Sequence, residues 1–579
     1  MKKGKKLTGA VSMALAACLL LSACQGGAGS SSTAASGTAS KTASSAAASA
    51  TGTADLLTGN KYPGTPDSDM ITINLQQEPP ELNSMLTTDT ASAVVLRETM
   101  SGLTKLDKDD KPVPDMATSW KVSDDKLTYT FELRKDAKWS NGDPVTANDF
   151  AFAWKTAMDP KTASQYGFII ADNIKGGDAF STGKGSADQL GIKVVNDYEL
   201  QVTLAKPIPY FLNLCAFQTY LPVNQKAYEK IGPDNYAKDA DKIVTNGAYK
   251  ISAWQHDNSV TLEKNADYWD AANMGIPKIK MAMIADANTA MNALKAGQLD
   301  YTTLNADQIK MMKAQGQPMA AYVDDGIWYV QYNFKRKPFN NVKVREAFGL
   351  ALDQNTFVKS VRADGSVAPT GIVPSGISGA NGKLYTEAQG NIVPAYDAAK
   401  AKQLLNEGLK ELGMTASQLK LTFLSSNATQ AQKDAAYMQE QWKKVLGVSV
   451  DVKPLAFKAR VDAMNKNDFD FVYAGWAPDY NDAMTFLDLF TTNNGNNYGK
   501  YSSTEYDDLI AKAEKESDAA KRQDYMMQAE KLAVTKDFVV SPLYFSVITY
   551  TTSAKFTGGI SSGFQTWPGN YTDGAKLTK

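Results

Sequence analysis

The 579 residues are 43% hydrophobic, 10% aromatic and 21% charged, an ordinary globular balance that excludes whole-chain disorder, collagen and coiled coil; at roughly 100–200 residues per domain, the length predicts about three to five domains. The formal net charge is −1, and the first 23 residues hold four Lys and no acid, so the rest is mildly acidic, which argues against nucleic acid as the main partner because that would favour a basic face. One His (His256) and three Cys (Cys18, Cys24, Cys215) leave almost nothing for a His/Cys metal site or a His-dependent triad, and no cofactor or metal is expected.

Lys2, Lys3, Lys5 and Lys6 form a positive start, and Leu7 to Leu21 is a mostly apolar stretch of about 15 residues, right for a signal-peptide core and short for a membrane span. It ends in Leu21-Ser22-Ala23-Cys24, which resembles the bacterial lipobox. The resemblance implies that residues 1–23 are a signal peptide and that Cys24 is lipidated; the alternative is an ordinary signal peptide before an incidental Cys. Lipid adds about 0.8 kcal/mol per buried CH2, and two or more chains anchor stably. Of residues 25–54, 28 are Gly, Ala, Ser or Thr, so 24–65 is expected to be the lipidated Cys plus a flexible linker, with a reach of roughly 30 Å. No other 18-residue apolar run follows, so the body should be soluble and held at the extracytoplasmic face of the cell membrane. Cys215 is then without a disulfide partner and reads as a small buried hydrophobe, with a reactive thiol as the alternative.

The body reads as mixed α/β. Strand-like runs start at Ile71, Leu127, Trp328, Val448 and Phe469, β-rich and largely alternating. Helical patterns lie between them: after the N-cap signal Thr146-Ala-Asn-Asp149, over Val342 to Leu352, and over 397–410, 429–446 and 505–533. Repeats of 20–50 residues are missing, which excludes a solenoid or propeller.

Enzyme motifs are scarce. Gly559-Ile-Ser561-Ser-Gly563 matches G-x-S-x-G, but no His follows it, so chance is the better reading. Ser181-Thr-Gly-Lys184 matches S-x-x-K in a stretch where a turn is expected. Gly177 to Gly185 has the wrong spacing for a P-loop. His256 is expected to be a surface or satisfied turn residue. A carboxylate pair with glycosidase-type chemistry stays open among 62 acids.

Leu133-Arg-Lys-Asp-Ala-Lys-Trp-Ser-Asn-Gly-Asp-Pro-Val-Thr-Ala-Asn-Asp-Phe150 resembles the signature of the oligopeptide-binding proteins, extracytoplasmic receptors of peptide ABC importers. Further matching segments follow in the same order: Asp159 to Tyr166, Val244 to Tyr249, Asn265 to Trp269, Lys337 to Arg345, and Ala474-Gly-Trp-Ala-Pro-Asp-Tyr-Asn481. The similarity spans about residues 70–579. It implies an α/β fold, a two-lobed periplasmic-binding-protein-like clamshell with an additional third domain. Domain I would be 66–100 plus 243–325 plus 548–579, domain II 101–242 and domain III 326–547, with hinges where the chain crosses near 326 and 547.

The resemblance also assigns the site. Asp479 falls on the carboxylate that holds the peptide ammonium. Tyr166 and Trp476 fall on residues lining the peptide, with packing aromatics as the alternative. Gly475 and Ala477 fall where the main chain bonds the ligand, so their side chains should matter little. Phe457 stands where well-known members carry a Trp. Basic residues that meet the peptide carboxylate in those members are replaced by Tyr473 and Met464; Lys458, Arg460 and Lys466 are nearby candidates to substitute.

What the resemblance implies is a receptor, not an enzyme: a lipid-anchored monomer that captures an oligopeptide in the interdomain cleft and delivers it to ABC permease subunits. The alternatives are a same-fold receptor for another solute (a dipeptide, an oligosaccharide, a metal chelate) and a secreted hydrolase.

Overall fold

In the computed structural model, residues 61–107, 111–557 and 576–577 are described, all within one compact unit. Cys24, the signal segment, the linker through residue 60 and the Gly559–Gly563 motif lie outside the described residues. Among the described residues, no helix is long and apolar enough to cross a membrane.

A ten-stranded sheet organises the molecule. From one edge its strands are Val450–Leu455, Leu421–Ser426, Phe471–Trp476, Ala320–Tyr332, Val540–Thr552, Tyr301–Thr303, Met70–Asn74, Lys278–Ala282, Ser259–Lys264 and Tyr249–Gln255. Met70–Asn74 pairs parallel with Lys278–Ala282, and its Ile71 and Ile73 are fully buried, as expected of a covered parallel strand. A separate four-stranded antiparallel sheet, Ala117–Val122, Thr128–Leu133, Glu199–Thr203 and Ile192–Asn196, lies within residues 101–242.

The two long strands Ala320–Tyr332 and Val540–Thr552 pair through the middle of the large sheet. Their register slips between Val323 and Ile327: Val323 faces Val547 and Ile327 faces Phe545, so three residues oppose the single Ser546. Asp325 takes φ +47° in this bulge, an uncommon left-handed conformation for a non-glycine residue. The Ser546 hydroxyl donates to the Asp324 carboxylate.

One end of the sheet rests on an aromatic core. Phe471 meets Phe339 at 4.8 Å, Phe423 at 4.8 Å and Trp442 at 5.1 Å, and the Trp442 indole N–H donates to the Phe348 carbonyl (3.0 Å). Near the middle, fully buried Asp300 accepts from Thr65 Oγ1 (2.7 Å), the Thr72 amide (2.8 Å) and Ser553 Oγ (2.7 Å), so one carboxylate fastens the two ends of the folded body.

The N-cap signal at Thr146 opens helix Ala147–Met158, where the Asp149 carboxylate accepts the Thr146 amide at 2.8 Å, closing the first turn as a capping box does. The pattern over 505–533 is two helices, Thr504–Lys515 and Ala519–Lys531. The break has a local cause: Glu516 turns extended, and the Asp518 side chain caps the second helix by accepting from the Lys521 amide (2.9 Å). Ser181 ends the short helix Gly177–Ser181, with a turn after it. His256 sits on the surface between Glu78 (2.7 Å) and Asp239 (3.3 Å). Cys215 is wholly buried, and burial pushes its thiol pKa up, the setting of an inert hydrophobe.

Residues 101–242 meet residues 326–547 along a seam. Gln165 Nε2 donates to Asn465 Oδ1 (2.9 Å), Lys206 pairs with Glu514 (3.2 Å), and the rings of Tyr210 and Tyr480 stack at 4.2 Å.

Candidate functional site

Strand Phe471–Trp476 ends against Ile327, where Trp476 is its last paired residue. Ala477 and Pro478 then carry the chain off the sheet, and Pro478, without an N–H, cannot extend the ladder. Asp479 follows on this strand-end loop, 8% exposed, with its amide donating to Thr485 Oγ1 (3.0 Å).

The Asp479 carboxylate accepts one hydrogen bond from Tyr166 O–H at 3.0 Å. Burial pushes its pKa up to about 8, and the bonds from Tyr166 and Thr485 hold it back only in part. Among the described residues, no cation is among the groups that act on it. A buried carboxyl without a positive partner has to be neutral or find a cation.

Tyr166 reaches Asp479 from across the seam, 313 residues earlier in the chain. Its ring, 2% exposed, stacks on Trp476 at 6.0 Å and on Phe168 at 5.8 Å. The Trp476 indole N–H is buried and bonds nothing among the described residues.

Asp479, Trp476, Gly475, Ala477, Tyr166 and Phe457 all border one cavity of about 310 Å³, at the small end of the range for ligand sites. Its walls come from both sides of the seam. Asp89, Asp115, Asp324, Trp328, Tyr329, Arg460 and Tyr498 also line it, and of these only Arg460 is a site candidate in the sequence. Burial raises the pKa of Asp89 to about 6, and it also raises those of Asp115 and Asp324. Of the three candidate cations, Arg460 lines the cavity, while Lys458 and Lys466 are exposed and do not. Met464 lines it as well; Tyr473 instead turns into the core, donating to Asp434 Oδ2 (2.7 Å). Among the described residues, no group of three His, Cys, Asp or Glu is placed to hold a metal.

One expectation needs correction. The side chain at Gly475 does matter: Trp328 lies opposite it on the neighbouring strand, and a Cβ added there would meet the indole ring at 2.7–3.0 Å. Glycine is required for the Trp328 ring to lie over the strand.

The model of the bacterial extracellular solute-binding proteins, family 5, middle region, matches residues 111–498. The chain belongs to this family. Among family 5 relatives, the oligopeptide-binding protein OppA of Bacillus subtilis is 36% identical over 521 residues, covering 87% of this chain and 93% of that protein. The structure of Listeria monocytogenes OppA bound to peptide superimposes with a TM-score of 0.83 at 34% identity, over 88% of this chain and 99% of that one. An unliganded open form of the murein tripeptide-binding protein MppA gives 0.58 at 26% identity, over 90% of this chain and 99% of that one. The fold class is that of the family 5 receptors: mixed α/β, with a large sheet shared across a multidomain body.

Proposed function

We propose that this chain is the solute-capturing component of an ABC importer for oligopeptides, without catalytic activity of its own. It is anchored by lipid on Cys24 at the extracytoplasmic face of the cell membrane, works as a monomer, and passes its cargo to membrane permease subunits. The observation that carries the reading is Asp479: a buried carboxyl on the wall of a cavity, with a hydroxyl bonded to it and no cation. A peptide brings the missing group, its α-ammonium.

In this reading 66–100, 243–325 and 548–579 form domain I, 101–242 domain II and 326–547 domain III. The bulge at 324–326 sits at one of the two crossings, where a change in backbone angles would swing the lobes. The better match to a peptide-bound relative than to an open one (0.83 against 0.58) supports a shut arrangement here. Closure is favoured because a ligand spanning the seam contacts both sides only when they meet. Tyr166 and Trp476 wall the ammonium end, Phe457 walls the cavity farther along, and the main chain at Gly475 and Ala477 is open to strand-like bonding with an extended ligand.

Calorimetry with free-amine and N-acetylated forms of one tetrapeptide tests this. Asp479→Asn should weaken the free-amine peptide by two to three decades, the scale of breaking a buried ion pair at about 3–5 kcal/mol, and the acetylated one little. Equal losses for both would refute the ammonium assignment.

A further inference from the structure

The seam between residues 101–242 and 326–547 is joined outside the cavity as well as beside it. The rings of Tyr210 and Tyr480 stack face to face at 4.2 Å, their planes 12° apart. They are 8% and 4% exposed, and neither is among the residues that border the cavity. Neither phenol O–H is hydrogen-bonded among the described residues, so the contact consists of the two ring faces. Farther along, Gly495 presses on the main chain of Gln165: a Cβ added there would meet the Gln165 carbonyl oxygen at 2.8 Å and its Cα at 3.2 Å. Gln165 with Asn465 (2.9 Å) and Lys206 with Glu514 (3.2 Å) complete the line.

Tyr480 follows Asp479 on a loop fixed at three points. The Asp479 amide donates to Thr485 Oγ1 (3.0 Å), Asn481 Oδ1 accepts the Ser378 amide (2.8 Å), and the Asp482 carboxylate accepts from both Arg522 Nη atoms (2.7 and 2.9 Å). Asp479 borders the cavity and Tyr480 meets the seam, so one braced loop carries the ligand carboxyl and half of the stack. A buried aromatic pair adds its own attraction to the area it covers, and no ligand atom takes part in this one. Parting the two sides breaks the stack and the Gly495 contact, and both are regained on closing whether or not a peptide lies in the cavity.

We propose that Tyr210 and Tyr480 form a latch that shuts the lobes independently of cargo, so that the shut form is populated before a peptide arrives. This rests on the two-lobed peptide reading above and adds its regulation. Tyr210 and Tyr480 are positioning residues: they touch no ligand and act by holding the two walls of the cavity together. Apparent affinity scales with the population of the competent form, so the latch enters the affinity of every peptide as one common factor. Opening is the step that frees a bound peptide, so the factor falls on the off-rate. A cavity that reads groups common to all peptides thus has a holding strength that owes nothing to their side chains.

The test is stopped-flow binding and small-angle X-ray scattering on the whole body from residue 25 onward, with tetraalanine, Lys-Ala-Lys-Ala and Ala-Leu-Ala-Leu as probes. Tyr480→Ala and Tyr210→Ala should each speed the dissociation of all three by one common factor of about tenfold, with association no slower. The double variant should lose no more than either single one, because each removes the same contact. Tyr480→Phe keeps the ring face and should match wild type. Gly495→Ala, whose methyl would meet Gln165 across the seam, should also speed dissociation with thermal stability unchanged, and it serves if the tyrosine variants do not fold. Without peptide, wild type should have a smaller radius of gyration than the alanine variants, and saturating peptide should bring them all to one value. Equal radii without peptide, with unchanged off-rates, overturn the latch and leave the peptide reading standing. A loss confined to one probe makes Tyr480 a ligand contact and overturns the latch as well. Additive losses in the double variant overturn the pairing of the two rings. Peptide binding that changes the radius of no variant contradicts the two-lobed reading. Binding of none of the probes by wild type contradicts the peptide reading, with the radii without peptide still deciding the latch.

Discussion

Peptide affinity measured from pH 6 to 9 reads the state of Asp479. With the lobes shut and no ligand bound, this carboxyl is held at about 8, whereas an ammonium needs it ionised. At that pKa about one-hundredth of the molecules carry the charge at pH 6, about one-tenth at pH 7 and half at pH 8, and the apparent dissociation constant scales inversely with this competent fraction. The ligand's own α-amino group loses its proton near pH 7.7–8.0. Affinity should therefore climb about tenfold from pH 6 to 7, gain roughly threefold more to a maximum near pH 8, and then fall. Binding at pH 6.5 should release close to one proton, which isothermal titration in buffers of different ionisation enthalpy measures directly. Tyr166→Phe removes a hydrogen bond that favours the ionised form, so its rising limb should move to higher pH. A flat affinity between pH 6 and 8 with no proton released would refute the reasoning.

Three further outcomes are expected. Gly475→Ala, whose new methyl would press on the Trp328 ring, should cost about 1–3 kcal/mol in a urea melt, the scale of overpacking; no loss would mean that the ring moves freely. In the shut form without ligand, a carboxyl raised from about 4 unfolded to about 8 folded destabilises progressively as pH rises through that window, up to about 5 kcal/mol at pH 8. Asp479→Asn should therefore be more stable than wild type at pH 8 and lose that advantage near pH 4; the opposite pH trend would contradict the buried state. Cys215, wholly buried with its thiol pKa raised, should resist Ellman's reagent in the native body from residue 25 onward and react on unfolding; rapid native reaction would contradict its packing.

Local chemistry was legible in the sequence. The capping box at Thr146 and Asp149 and the helix over 429–446 depend on neighbours a few residues away, and they form where the pattern puts them. The six candidate residues border one cavity although Tyr166 and Asp479 are 313 apart, because a family pattern carries long-range placement that periodicity lacks. Other features depend on strand register, which no short window contains. The need for glycine at 475 comes from Trp328 on another strand. The bulge at 324–326 is defined by the single Ser546 opposite it on the paired strand. The break at Glu516–Asp518 was present as an N-cap residue, hidden inside a continuous apolar rhythm.

The order of strands also bears on how the chain is made. Tyr301–Thr303 lies between Met70–Asn74 and Val540–Thr552, and Asp300 ties Thr65 to Ser553. A nascent polypeptide can bury its aromatic nuclei early, yet the central seam stays unzipped until the last strand has left the ribosome. Closing contacts so distant in sequence is intrinsically slow. Synthesis thus leaves the middle of the large sheet open almost to its end, whatever the flanking units have already buried.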